Sequence, residues 1–377
     1  MSNILIYVIG NPNHHNTLSM VRCYGEAGYM VDLIAVGKGH GCATKSKYLS
    51  HVWTVSSVND IVPLLLSQKV GREYIKVIVC CSDEAACQMD INTDKLKKDF
   101  FFFHTEEKGM LIQYMDKKRQ VELAKITGFD VPKSIIYNGE KNLLFDSFPC
   151  ILKPLESVNG GKKIKICDNQ ESLNKELSHF LNGDKVLVQE FVKREEELVL
   201  VGLRTLNGIV IPAYIRKIRD NKGGTTYCEV KKIVSLDTNI LNRCKDLVSK
   251  IGYVGLFGIE LIHANGKYYF IEINLRNDAT CYAIAKAGVN LPFLFIKDVI
   301  ESEPCVSIKK EIEEIYSMVE LKDLKFVLKG KVPFFKWINQ LINAKCKYYY
   351  SSLDKKPFFY ATVEILASPF CSIVRKI

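Results

Sequence analysis

The stretch FIEINLRND, from Phe270 to Asp278, sets a carboxylate, an amide and a guanidinium at every second position of an apolar run, as Glu272, Asn274 and Arg276. A β-strand points alternate side chains to the same face, so these three polar groups share a face. Upstream, GIELIHANGK carries a second glutamate, Glu260, into Asn265-Gly266, a strong hairpin signal. Loop length decides whether the two acids meet. A two-residue Asn265-Gly266 loop pairs Ala264 with Lys267 and sends Glu260 and Glu272 to opposite faces. A three-residue loop, Ala264 to Gly266, pairs His263 with Lys267 and sets Gly258, Glu260, Ile262, Phe270, Glu272 and Asn274 on one face. Two carboxylates and an amide oxygen are hard ligands that suit Mg2+ or Mn2+. The planar fork of Arg276, one step further on, suits anionic oxygen. A metal site on this hairpin therefore expects the odd loop.

A divalent ion held by two carboxylates commonly carries a polyphosphate, which directs attention to cations and to an adenine slot. Lys153 closes the apolar segment PCILKP, where its ammonium requires an anion. The following loop supplies Gly160 and Gly161, whose backbone N–H groups can approach phosphate oxygens closely; a plain hairpin turn explains them equally well. VLVQEFV ends in Gln189-Glu190-Phe191-Val192, a strand end whose backbone can hydrogen-bond an adenine edge. Glu197 can reach ribose hydroxyls, although Glu195-Glu196-Glu197 also reads as a solvated charge run.

The elements that must position these groups follow an orderly pattern. Residues 1 to about 107 alternate strand and helix (NILIYVIG, SMVRCYGEAGYM, VDLIAVG, YIKVIVCCSDE), which implies a parallel sheet. The opening residues read as a first buried strand, without the features of a signal peptide. The turn Gly10-Asn11-Pro12-Asn13 is not G-x-G-x-x-G, so no dinucleotide site is inferred. Asp83 and Glu84, at a strand's carboxyl end, are either site acids or helix-capping acids. From 108 to 300 the rhythm becomes helix, strand, helix, then long strands: a first lobe over 108–185 and a second over 186–300. The remainder, 301–377, reads as helical and basic.

In this order the segments resemble the ATP-grasp superfamily. MDKKRQVELAKITGFDVPKS is similar to the family's opening helix, FPCILKP to its lysine strand, VLVQEFV to its hinge, and GIELI with YYFIEINLR to its metal hairpin. The resemblance implies an α/β domain with a parallel sheet, then an α+β ATP-grasp fold of two lobes with antiparallel sheets, then a helical basic region. It implies ATP and Mg2+ or Mn2+ as cofactors. Lys117 and Lys153 would contact phosphates, Gly160 and Gly161 would line the phosphate loop, Glu190 and Val192 would flank adenine, and Glu197 would take the ribose. Glu260, Glu272 and Asn274 would hold the metal, and Arg276 would steady the transferred group. Arg216, Arg219 and the loop with Gly224 and Thr225 are candidate substrate contacts. The implied activity is an ADP-forming ligase that joins a carboxylate to an amine through an acyl phosphate. A narrower resemblance, to carbamoyl-phosphate-synthase-like ATP-grasp proteins, suggests a role in cell-surface polysaccharide or amino-acid conjugate synthesis. The alternative is a nucleotide-binding scaffold at a membrane, without ligase turnover.

Composition narrows the setting. The 13 cysteines contain no C-x-x-C pair and read as small buried hydrophobes in a reducing cytosol. No Ser/His/Asp or Cys/His arrangement stands out. Of the net charge of +10, residues 321–377 carry eleven Lys and Arg against three acids, or +8. Concentration in the tail argues against a nucleic-acid surface over the whole protein. It leaves peripheral attachment to an anionic membrane open. The expected partners are a small carboxylate and an amine, with a homodimer allowed; the expected location is the cytoplasm or the inner face of a membrane.

Overall fold

Ile4–Gly10 (β1) is buried at every position, as a parallel strand covered on both faces must be. The computed structural model, which describes residues 3–68, 74–140, 143–154, 165–180, 186–221, 224–307 and 311–374, places β1 at the centre of a five-stranded sheet. Its neighbours are β2 (Met30–Val36), β3 (Leu49–Val55), β4 (Ile75–Cys80) and β5 (Phe100–Phe102), in the order β3-β2-β1-β4-β5. Every pairing in it is parallel. The carboxyl ends of β1 and β4 lead into the helices His15–Glu26 and Asp83–Ile91. Ligands of open α/β sheets gather at such ends.

A second sheet is small and antiparallel: β7 (Ser134–Tyr137), β8 (Cys150–Pro154), β9 (Lys165–Cys167) and β10 (Val186–Glu190), ordered β7-β10-β8-β9. It encloses a core of its own around Leu152, Val188 and Leu173. Because β10 lies inside this sheet, the first lobe runs through Glu190 and the lobe boundary falls five residues later than expected. The chain then crosses over Phe191–Glu195 into the large sheet.

The large sheet contains β11 (Glu196–Thr205), β12 (Gly208–Asn221), β13 (Gly224–Lys232), β14 (Tyr253–Ala264), β15 (Lys267–Asn274), β16 (Ile315–Met318) and β17 (Ala344–Lys347), ordered β15-β14-β11-β12-β13-β16-β17. A short strand, β6 (His104–Thr105), pairs with β14 outside this path. The long strands pair antiparallel, and β16 pairs parallel with β17. The C-terminal region is mostly helical, as expected, yet it also lends the large sheet these last two strands. One continuous hydrophobic core joins the first sheet to the large one.

Buried polar groups bolt the C-terminal region onto the body. Arg22, fully buried, meets the Asp354 carboxylate at 3.0 Å and donates to the Tyr348, Tyr349 and Asp354 carbonyls. Asp354 also accepts from Ser46 Oγ and the Lys47 N–H. The Glu320 carboxylate accepts the backbone N–H groups of Tyr348, Tyr349 and Tyr350. Tyr348 and Tyr349 are thereby buried, which removes them from any nucleic-acid surface. Cys371 aside, the cysteines are free, and all but the half-buried Cys81 are buried. No helix among the described residues is long and apolar enough to cross a membrane.

Removing one member of a buried ion pair strands the other charge. Asp354→Ala is therefore expected to lower unfolding free energy by about 3–5 kcal/mol, measured as a shift in the urea midpoint. A loss no larger than that of an exposed Asp60→Ala control would show that Arg22 finds other partners.

Candidate functional site

The hairpin turn is two residues long. Ala264 pairs with Lys267, and Asn265 (φ 52°) and Gly266 (φ 71°) both lie in the left-handed region, the geometry that Asn-Gly favours between twisted strands. The expectation of a three-residue loop is thus wrong. The shared face nevertheless exists, because β15 carries a bulge: Leu261 pairs with Phe270, and the next residue, Glu260, pairs with Glu272. Ile271 is the extra residue. The bulge shifts the phase by one, sets the two carboxylates directly opposite each other and aligns Gly258 with Asn274. Phe270 turns to the other face with Leu261 and is buried. Gly258 is required here, since a Cβ would fall 2.9–3.0 Å from the Asp278 side chain.

Two carboxylates facing each other in a partly buried position repel. Burial, only partly opposed by Lys217 and reinforced by Glu272 and Asp278, pushes the Glu260 carboxyl up to about 7. Cations surround the pair. The Lys217 ammonium lies 2.7 Å from Glu260 Oε2 and also donates to Glu197. Burial works against its charge, but Glu260 and Glu197 outweigh burial and hold it above its ordinary range. Lys117 approaches Glu272 at 3.7 Å. Arg276 donates to Asn274 Oδ1 at 3.1 Å and stands 2.8 Å from Asp83 Oδ1 of the first domain; the contact with Asp83 is an ion pair, poorly aligned as a hydrogen bond.

The remaining expected residues divide into two groups. Lys153 donates to Gln189 Oε1 at 2.9 Å, and burial together with Lys117 lowers its pKa against the pull of Glu272 and Glu197. A half-buried lysine with an amide as its hydrogen-bond partner is suited to an incoming anion. At the crossover the Glu190 N–H donates to the Lys133 carbonyl and its carboxylate accepts from the Lys133 N–H, so Glu190 and Val192 stand at the seam between the lobes. Glu197 is shared by Lys217 and Arg194. Gly160 and Gly161 lie outside the described residues. Arg216 does not join the site: register places it on the opposite sheet face, beside Leu198, where it pairs with Glu229 and Glu196. Arg219 is also committed elsewhere, to Asp323 at 2.7 and 3.1 Å and to Gln340. Gly224 and Thr225 do border the cavity.

That cavity, about 360 Å³, opens between the carboxylate row and the first domain. Glu260, Glu272, Asn274, Arg276 and Lys217 form one side, and His14, Asp83 and Glu84 another. Asp83 and Glu84 occupy the first turn of a helix capped by Ser82, so they are helix-terminal acids that also face the cavity. Burial, aided by Lys322 and Arg276, lowers His14 to about 3 and keeps it neutral. Among the described residues no three His, Cys, Asp or Glu side chains are grouped to hold a metal. A cation at the row would rest on two carboxylates and one amide oxygen and take water or phosphate oxygens for its other positions, a donor set that fits Mg2+ or Mn2+.

Two residues escaped the sequence reading. Lys217 lies between two arginines in IRKIR, and only its strand phase separates it from Arg216. Gln120, on the helix Lys117–Ile126, hydrogen-bonds both backbone groups of Ile273 at 3.0 and 3.1 Å. It thereby clamps the outer edge of β15 between Glu272 and Asn274. No local pattern marks it.

Residues 122–287 match the ATP-grasp domain family. The formate-dependent phosphoribosylglycinamide formyltransferase of Bacillus subtilis (strain 168) is 29% identical over 138 residues, 34% of this chain and 35% of the relative, so the match spans about a third of that protein's length. Among solved structures, an ADP complex of N5-carboxyaminoimidazole ribonucleotide synthetase superposes with a TM-score of 0.64 at 12% identity, covering 87% of this chain and 85% of the other. The L-amino acid ligase of Bacillus licheniformis gives 0.64 at 12% identity, covering 85% and 80%. At such identities the structures establish the fold.

Gln120→Leu leaves two buried backbone groups of β15 unpaired. Stability is expected to fall by about 1–3 kcal/mol in urea unfolding, and Mn2+ affinity to weaken by roughly tenfold in a titration followed by electron paramagnetic resonance. Unchanged metal affinity would show that β15 holds its register without the clamp.

Proposed function

We propose that this member of the ATP-grasp superfamily is an ATP-dependent, ADP-forming ligase that joins a small carboxylate to an amine. The observation that carries the reading is the row formed by Glu260, Glu272, Asn274 and Arg276, with Lys117, Lys153 and Lys217 around it, on the wall of a polar cavity. A non-catalytic nucleotide scaffold has no need of this full set. The relatives are named as a formate-dependent transferase and an L-amino acid ligase, which supports a small acid as one substrate. Nothing about the cavity calls for a polysaccharide setting.

Bound ATP with its divalent ion would supply the γ-phosphoryl group to the carboxylate, leaving ADP and an acyl phosphate; an amine would then attack the acyl carbon, expel phosphate and give up a proton. The chain's part is positioning and electrostatics. Glu260, Glu272 and Asn274 would hold the ion. Lys153 from the small lobe and Lys117 from the helix beside it would face phosphate oxygens, with Gly160 and Gly161 as the sequence's candidates for the adjoining loop. The Glu190–Val192 crossover would flank adenine, and Glu197, oriented by Lys217, would accept from ribose hydroxyls. Arg276, braced between Asp83 and Asn274, would present positive charge to the carboxylate and to its phosphorylated form. Gly224 and Thr225 would border the substrate, and Glu84 offers an acid to an ammonium group.

Glu272→Gln removes one anionic ligand at nearly constant volume. Substrate-dependent ADP release, assayed against a panel of amino acids and small carboxylates, is expected to fall by about 100-fold or more. Arg216→Ala, on the opposite sheet face, should leave it unchanged. Equal turnover by wild type and Glu272→Gln would sink the assigned mechanism.

A further inference from the structure

The strongest unexplained feature lies away from the cavity, on the helices Glu320–Leu328 and Phe334–Asn343. Their inner faces are occupied: Leu324, Val327, Trp337 and Leu341 pack around Met318 and Tyr227. Asp323 fixes the pair to the large sheet by accepting from Arg219, Thr226 and the Trp337 indole. The outer face is unpartnered and apolar. Leu328 is 78% exposed, Phe335 85% and Ile342 71%, with Phe334 at 53%. Phe335 and Ile342 are seven residues apart and so lie along one stripe of their helix.

Lysines ring this stripe. Lys325, Lys329, Lys331 and Lys336 are all exposed, and among the described residues none of the four forms an ion pair. The sequence has no Asp or Glu between Asp323 and Asp354. Chains ordinarily scatter both signs over a surface and leave large apolar side chains there singly. Here exposed aromatic and aliphatic groups coincide with unpaired positive charge on a rigid two-helix corner.

We infer that this corner is a docking surface for an anionic lipid membrane. Lysines beside a negatively charged headgroup layer gain attraction, while Leu328, Phe335 and Ile342 enter the boundary between headgroups and acyl chains. Self-association through the same face would oppose lysines to lysines across a two-fold axis. A nucleic acid would satisfy the lysines but would leave the protruding Leu328 and Ile342 side chains without an apolar phase. A lipid surface satisfies both. The inference is independent of the proposed ligase chemistry, because none of these residues borders the cavity.

The test is flotation of the full chain with phosphatidylglycerol-containing vesicles and with pure phosphatidylcholine vesicles, at low and high salt. Wild type is expected to float with the anionic vesicles, far less with the neutral ones, and to be released by salt as screening shortens the reach of the lysines. Lys329→Glu/Lys331→Glu and Phe335→Ser/Ile342→Ser should each weaken anionic-vesicle binding by roughly tenfold or more. Both substitute exposed side chains, so circular dichroism and thermal unfolding should stay unchanged. Three results would overturn the inference: no flotation of wild type, flotation undiminished in both variants, or a concentration-dependent dimer that Phe335→Ser/Ile342→Ser abolishes. Binding to single-stranded DNA that depends on Lys329 and Lys331 but not on Phe335 and Ile342, with no vesicle binding, would also overturn it and reassign the corner.

Discussion

One residue of slippage in an edge strand governs the site. Side chains alternate with a period of two, so any odd offset between strands exchanges the two faces. The Asn265-Gly266 turn is two residues long, and a regular ladder from it would put Glu260 and Glu272 on opposite sides of the sheet. The bulge at Ile271 cancels that parity and does more than a longer turn would. A three-residue loop would have left the acids diagonal to each other, roughly 7–8 Å apart; the bulge sets them face to face. A bulge on an edge strand is fragile, since one residue is unpaired and the outer backbone groups lack a neighbouring strand. Gln120 supplies the missing bonds at Ile273, and the Asp130 carbonyl accepts the Phe270 N–H at 2.9 Å.

From this pairing the charges arrange themselves by side. The large sheet contributes the acids Glu197, Glu260 and Glu272, with Lys217 already bridging two of them. The small lobe and the helix beside it contribute Lys153 and Lys117, of which Lys153 has, among the described residues, only a neutral hydrogen-bond partner. An anion carrying a dication matches such a field in one orientation, with its metal toward the sheet and its phosphate oxygens toward the lysines. The cores divide in the same way. The small lobe packs around its own cluster, whereas the first domain and the large sheet share one. Displacement of the small lobe therefore disturbs little packing, while the acids stay fixed.

Local chemistry made part of this legible in the sequence. The alternating comb after Phe270, the lysine before Pro154 and the Asn-Gly turn each follow from rules that span a few residues. The bulge could not be read, because Ile271 is an ordinary strand residue whose displacement is settled by what lies across from it. That Lys217, rather than the candidates Arg216 and Arg219, meets the acids was hidden for a related reason. Further irregularities after Lys217 upset the strand phase, and the acid that claims Arg219 is Asp323, 104 residues downstream. The burial of Tyr348 and Tyr349 was hidden in the same way. Aromatics among lysines look like a surface until the Glu320 carboxylate, almost 30 residues earlier, is seen to gather three of their N–H groups. The strands β16 and β17 are four residues each, too short for alternation to declare them.

The shared core also explains why the first domain belongs to the site at all. Arg276 is braced from behind by Asp83, and the neighbouring Asn277 exchanges hydrogen bonds with Asn16 at the start of the helix that follows β1. The guanidinium that would meet the acid is thus positioned by two sheets at once, and the cavity beside it is closed by loops at the carboxyl ends of β1 and β4. Under the proposed reading, handling of the nucleotide and choice of the acceptor fall to different parts of the molecule. The nucleotide depends on the small lobe and the bulged hairpin. The acceptor depends on His14, Asp83, Glu84 and the Gly224-Thr225 turn, none of which supplies a metal oxygen. Those groups can vary while Glu260 and Glu272 stay in place, since the pair is held by Gln120, Lys217 and the β14 ladder, whereas Arg276 is braced by one of them, Asp83.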